Sequence, residues 1–172
     1  MPRRVVVVNR APVLTLWAAV VAARLGFDWK AALTLGKSVA GLNAQSKGRR
    51  LGIYKPPEPG AARPKRGRGG EILVELLGRA VPAASTREGI RAVVGDAPVD
   101  PDSVTAYLES RFGERLDEVR EAMEFLARSM KPSELADRAY PLYEAFRPAV
   151  PPGKRGWGAA GELDLERVRS LA

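Results

Sequence analysis

The chain contains neither cysteine nor histidine. Without cysteine there is no disulfide framework, no zinc knuckle and no thiolate nucleophile. Without histidine there is no Ser-His-Asp triad and no imidazole base. Zinc or iron would have to rest on carboxylates alone, which suits neither metal. Carboxylate-bound magnesium, or catalysis by a Lys, Tyr, Asp or Glu side chain, stays open; no cofactor is implied. Long apolar runs are also missing. Val5 to Val8 gives four apolar residues before Asn9-Arg10, shorter than a signal peptide requires. Pro12 to Ala23 includes Thr15, ends at Arg24 and is too short to span a bilayer. The expectation is a soluble, cytoplasmic protein without a membrane partner.

What is present suits one domain of ordinary size: 172 residues, 45% of them hydrophobic, enough to bury a core. The formal net charge of +8 is unevenly placed. Residues 1–70 hold 14 basic and 2 acidic side chains, a net +12, and residues 71–172 hold 14 basic and 18 acidic, a net −4. The chain therefore reads as a basic region, 1–82, and an acidic helical region, 83–172, packed together as one domain. The expected class is mainly α with a small β component (α+β).

Val5 to Val8 is β-branched and short, which predicts a strand buried on both faces. Pro12 fits the first turn of a helix, and Val13, Leu14, Trp17, Val20, Val21 and Leu25 continue at helical spacing. Gly26 interrupts. Asp28 is a good N-cap for a second helix, from Trp29 to about Ser46, in which Gly36 and Gly41 allow close packing. Leu51–Lys55 and Glu71–Leu77 read as strands of a hairpin whose tip is the loop Pro56–Gly70; a linker joining two subdomains is the alternative. Ser85 and Glu88 have capping-box spacing and predict a helix. Asp100-Pro101 opens another, ended by Gly113. Glu114 to Met130 carries the clearest apolar stripe, followed by a helix from Pro132 to about Phe146, interrupted or kinked at Pro141, and a last one from Leu163 to Leu171.

Ala18 to Lys37 resembles a helix-turn-helix DNA-binding unit. Ala22 stands four residues before the turn glycine, Gly26, and Val21, Leu25, Phe27, Ala32 and Leu35 fall on the apolar positions that fix the helix crossing. An ordinary helical hairpin satisfies the same spacing. The resemblance implies that the second helix presents Lys30, Thr34 and Lys37 toward a groove. Lys47, Arg49 and Arg50 follow, and Arg63, Lys65, Arg66 and Arg68 lie in the loop. The order helix, helix, strand, basic loop, strand resembles a winged helix. Arg63-Pro64-Lys65-Arg66-Gly67-Arg68-Gly69 is similar to a minor-groove hook, since narrow grooves attract arginine. The alternative for this loop is a solvated segment. Arg/Gly-rich stretches also bind single strands, so RNA is a variant of the same reading. Asn43 and Gln45 are expected to satisfy backbone groups rather than to read bases.

In the acidic half, Glu114, Asp117, Glu118, Glu121 and Glu124 alternate with Arg111, Arg115, Arg120 and Arg128 at helical distance, which predicts a salt-bridged solvent face rather than a metal site. The apolar stripe opposite serves the core or a second copy of the chain in a homodimer. Tyr143, Phe146 and Trp157 are expected to close the C-terminal core. The sharper reading is a pocket rimmed by Lys154 and Arg155, with Tyr140 and Tyr143 as acids. Asn9-Arg10-Ala11-Pro12-Val13-Leu14-Thr15-Leu16-Trp17 and Gly153-Lys154-Arg155-Gly156-Trp157-Gly158 resemble a bacterial family that implies no activity. The leading expectation is a nucleic-acid-binding protein, with DNA as partner. A protein-interaction or self-associating scaffold and a small enzyme without His or Cys are the alternatives.

Overall fold

The computed structural model describes residues 5–50, 71–94, 97–148 and 160–172, excluding the side chains of 44–50, 71 and 160. The chain is mainly helical with a smaller antiparallel β component. In order it forms β1 (Val5–Asn9), α1 (Arg10–Arg24), α2 (Trp29–Arg50), β2 (Glu71–Leu76), β3 (Arg79–Thr86), β4 (Gly89–Val94) and β5 (Ala97–Pro98). Then come α3 (Pro101–Phe112), a 3-10 turn (Gly113–Arg115), α4 (Leu116–Arg128), α5 (Pro132–Phe146), β6 (Ala160–Asp164) and α6 (Leu165–Ser170).

Every residue of α1 from Pro12 to Ala22 is buried, the mark of a helix enclosed on all sides. It packs on α2, α3, α4 and α5. Trp17 fixes the last of these contacts: its indole N–H donates to the Ala139 carbonyl at 2.9 Å, and its ring meets Phe146 edge-on at 5.2 Å. Between α1 and α2, Gly26 takes φ +115°, a conformation that an L side chain resists. Asp28 then caps α2, its Oδ1 accepting the Ala31 N–H at 2.8 Å. The closest approach of α1 and α2 is at Gly36. A Cβ there would stand 2.4 Å from the Thr15 carbonyl oxygen and 2.9 Å from the Ala19 nitrogen.

Among the described residues there are also two antiparallel sheets. In the first, β1 pairs with β6, joining the two ends of the described chain. Val6 and Val8 are buried but Val7 is 69% exposed, so β1 buries one face, not the two expected from its unbroken valine run. Among the described residues this sheet has two strands, and Val7 marks its exposed side. The second sheet has the order β2-β3-β4-β5, and its β3 and β4 lie against α2. Leu77 (φ 51°) and Gly78 (φ 74°) form the β2–β3 turn, both in the left-handed region that a two-residue hairpin requires. For leucine this costs on the order of 1 kcal/mol, and burial of the Leu77 side chain in the core offsets it. The partner of β2 is thus β3. Leu51–Lys55, expected to fill that place, and the loop Pro56–Gly70 lie outside the described residues.

No helix starts at Ser85. Ser85 and Thr86 end β3, and Arg87-Glu88 is a turn into β4. The Thr86 hydroxyl accepts the Glu88 N–H at 3.3 Å and donates to the Gly89 carbonyl at 2.7 Å, while Gly89 takes φ +124°. A hydroxyl followed by Glu serves a tight turn as readily as a helix cap. The period-two burial of Val81 and Ala83 is carried partly by alanine, which helices also favour.

From Asp100 the expectations hold closely. Asp100 accepts the Asp102 N–H at 3.0 Å, Pro101 begins α3, and Gly113 (φ 56°) ends it. Val119, Ala122, Met123, Leu126 and Ala127 form the buried stripe of α4. α5 runs on through Pro141, which cannot donate to the Asp137 carbonyl; Asp137 is exposed, so solvent can serve that group. At the C-terminus the expected helix begins late: Leu163 and Asp164 still belong to β6. Asp164 then caps α6, accepting the Glu166 and Arg167 N–H groups at 3.0 and 3.4 Å. One continuous cluster of buried side chains runs from Val6 to Val168 through both halves. Among the described residues no helix is long and apolar enough to cross a membrane.

Candidate functional site

The helical hairpin exists, but its second helix is not free. Ala31 to Gly36 are buried in succession, because α1, the β3–β4 face and α3 all pack on α2. Thr34 is the clearest correction. Expected to face a groove, it is fully buried, donating to the Ala31 carbonyl at 2.8 Å and accepting the Ala92 N–H of β4 at 3.0 Å. Its hydroxyl satisfies a buried strand amide, a structural use invisible until β4 is in place. Asn43 also turns inward. Its Oδ1 accepts from Arg79 Nη2 at 3.1 Å and from the Tyr140 hydroxyl at 3.3 Å, tying α2 to β3 and α5.

Lys30 and Lys37 remain on the exposed side of α2, two turns apart. Lys37 is not isolated. Its Nζ lies 4.0 Å from the centroid of the Tyr107 ring, and the Arg111 guanidinium lies 5.5 Å from the same centroid. Tyr107 and Arg111 are one turn apart on α3, so a single aromatic ring carries two cations from two helices. Burial, and then the neighbouring Arg111 charge, lower the pKa of Lys37. Burial raises that of the Tyr107 phenol, with Arg111 pulling the other way. Two like charges brought this close favour an anion that bridges them. Sequence reasoning placed Arg111 in a salt-bridged face and did not single out Tyr107. The four-residue spacing Tyr107–Arg111 was the available signal, but only the α2–α3 contact brings Lys37 to it.

Lys47, Arg49 and Arg50 lie on the last turns of α2, which continues beyond Ser46 to Arg50. Their side chains, with Arg63, Lys65, Arg66 and Arg68, lie outside the described set. The structure therefore brings Lys37 together with Arg111 and leaves Lys30 near them on one helix face.

Three of the five acids expected on a salt-bridged face are paired. Arg115 meets Glu118 at 2.8 Å, Arg120 meets Glu124 at 3.6 Å, and Glu121 pairs with Arg169 of α6 at 3.7 Å. All these side chains are about a third or more exposed, so each pair contributes little, on the order of 0.5 kcal/mol. Among the described residues, no ion pair links 1–70 to 71–172. The halves meet through apolar packing, through hydrogen bonds such as Arg10 to the Pro148 carbonyl (3.1 Å) and Arg24 to the Met130 carbonyl (3.0 Å), and through the cation–aromatic contacts of Lys37 with Tyr107 and Arg120 with Trp29. Tyr143 does not face a pocket. It is fully buried and packs edge-on against Tyr140 and Phe146, which closes the core there as the blander reading expected. Trp157, Lys154 and Arg155 lie outside the described residues. Among the described residues no three carboxylates converge closely enough to hold a metal ion.

No family model, curated protein or solved structure matches this chain.

Proposed function

We propose that the protein binds nucleic acid, with duplex DNA as the first partner, through the basic stretch that leaves α2 and returns at β2. One observation carries the reading. Residues 44–70 hold eight basic side chains and one acidic, so they account for seven of the eight net positive charges. The rest of the chain is close to neutral. This stretch is attached at both ends to folded elements, α2 and β2. Lys30 on α2, and Lys37 with Arg111 on Tyr107, add exposed cations to the same helix from which that stretch departs.

Such a surface acts mainly on phosphates. Lys and Arg that neutralise phosphates release condensed counterions, and this sequence-independent term dominates affinity. Reading of bases by the buried face of α2 plays no part, because Thr34 and its neighbours are committed to packing. The mode is therefore closer to backbone binding, with the Arg63 to Arg68 segment at a groove, than to a recognition helix seated in the major groove.

The test compares duplex DNA, single-stranded DNA and RNA of equal length in a binding assay. Reversing Arg63, Lys65, Arg66 and Arg68 to Glu is expected to weaken DNA binding at least tenfold while leaving the melting temperature unchanged. Undiminished binding by that variant would remove the loop from the mechanism. Association that appears without nucleic acid and dissolves with salt would favour the scaffold reading instead.

A further inference from the structure

A cavity of about 340 Å³ opens between the start of α2 and the α3–α4 junction. That volume lies in the usual range for small-molecule sites, about 300 to 1,000 Å³. Its floor is apolar and comes from three helices: Leu16 of α1, Leu33 of α2 and Leu108 of α3. Those three leucines are buried, whereas Trp29 forms a half-buried wall. The rim is acidic. Glu109, Glu114 and Asp117 are all exposed, and none is in an ion pair among the described residues, whereas Glu118 and Glu124 of the same region are held by Arg115 and Arg120.

Arg120 is the one cation in the lining, and it is engaged twice. It lies 3.6 Å from Glu124, and its guanidinium sits 3.8 Å from the centroid of the Trp29 ring. The indole face is therefore already used as a cation platform. Three carboxylates against one engaged guanidinium leave the lining with a formal charge of −2. A compact metal ion does not suit these acids, because no three carboxylates among the described residues converge on a point. The complementary ligand is larger. It needs an apolar body for the leucine floor and a positive head for the rim.

We propose that this cavity binds a small organic cation of the aryl- or alkylammonium class. Its apolar part rests on Leu16, Leu33 and Leu108, and its ammonium lies among Glu109, Glu114 and Asp117. Burial of the apolar part supplies affinity, at about 25 cal/mol per Å² removed from water, and the rim supplies selection by charge. Trp29 adds an attraction for cations that a neutral ligand of the same shape does not share. Arg120 competes for that ring, so removing its charge favours the ligand. This site is independent of the nucleic-acid reading, since it lies on other residues and has the opposite charge.

The full-length chain is titrated calorimetrically with three probes that share a benzyl or phenyl body: benzyltrimethylammonium, benzyl alcohol and benzenesulfonate. The ammonium is expected to bind at least tenfold tighter than either of the others. The triple variant Glu109→Gln, Glu114→Gln, Asp117→Asn changes exposed side chains only, so it should fold as before and lose at least tenfold in affinity for the ammonium. Arg120→Gln should tighten it several-fold, with the Trp29 indole resonance moving on binding. Equal uptake of the three probes, no binding of the ammonium to the unaltered chain, or an undiminished triple variant would each overturn the proposal.

Discussion

Tyr143 carries a phenol with no exposure and no hydrogen-bond partner. Burial pushes its pKa far above the ordinary tyrosine value of about 10. The Arg10 and Arg147 charges pull it down, and Tyr140 and Glu144 add a smaller upward push. The folded chain therefore keeps this proton at pH values where the unfolded chain has released it. Stability from this group is fully present below about pH 10 and is lost as pH rises further, by up to about tenfold in the unfolding constant per pH unit. Denaturant titrations across that range should show the loss, and Tyr143→Phe should flatten it. The same variant should be no less stable at neutral pH, because it removes a buried unpaired hydroxyl while keeping the ring.

Glycines make a second test at the same scale. Gly36→Ala places a methyl against Thr15 and Ala19 backbone atoms that cannot give way, so it should destabilise by about 3 kcal/mol or more. Gly41→Ala meets nothing within 4 Å in the same helix and should stabilise by roughly 0.5 to 1 kcal/mol. Thermal melting of the pair reads both signs. From the sequence the two glycines were equivalent; the crossing of α1 decides between them. Thr34 teaches the same lesson. Its polarity was legible, but its orientation depends on the Ala92 amide, 58 residues away.

At the scale of elements, legibility followed local signals. The Asp28 cap, the Gly26 turn, the Asp100-Pro101 start, the Gly113 stop and the stripe of α4 all act within a few residues, and each is where the chain predicted it. The misread elements depend on distant partners. β6 holds Leu163 in extended form because β1 pairs with it from the other end of the chain, with Val6 opposite Leu163. β3 is alanine-rich, and β3 and β4 draw their strand character from each other and from α2. An element-scale prediction follows from the β1–β6 pair. Deleting residues 1–9 should strip hydrogen-exchange protection from the β6 amides and loosen α6, which packs on α4, while the α3 amides keep theirs. Retained protection in β6 would mean that the pair is not what holds it.

At the scale of the molecule, the division into a basic and an acidic half did not become a division into two bodies. One core runs through both, and among the described residues no ion pair joins them. The charge is instead concentrated in residues 44–70. The fold class was legible because composition and the long periodic helices set it. The burial of Thr34 on α2 was not, because it depends on packing partners that lie elsewhere in the chain. The nucleic-acid role we propose would rest on long-range electrostatics, and salt is the direct probe of it. The decisive measurement is the association constant for a duplex DNA between about 50 and about 200 mM salt. With six of the basic side chains neutralising phosphates, the log–log slope should be about −5, and reversing Arg63, Lys65, Arg66 and Arg68 should bring it much closer to zero. A slope near zero for the unaltered chain, or one that the reversal leaves unchanged, would show that these charges do not meet phosphate.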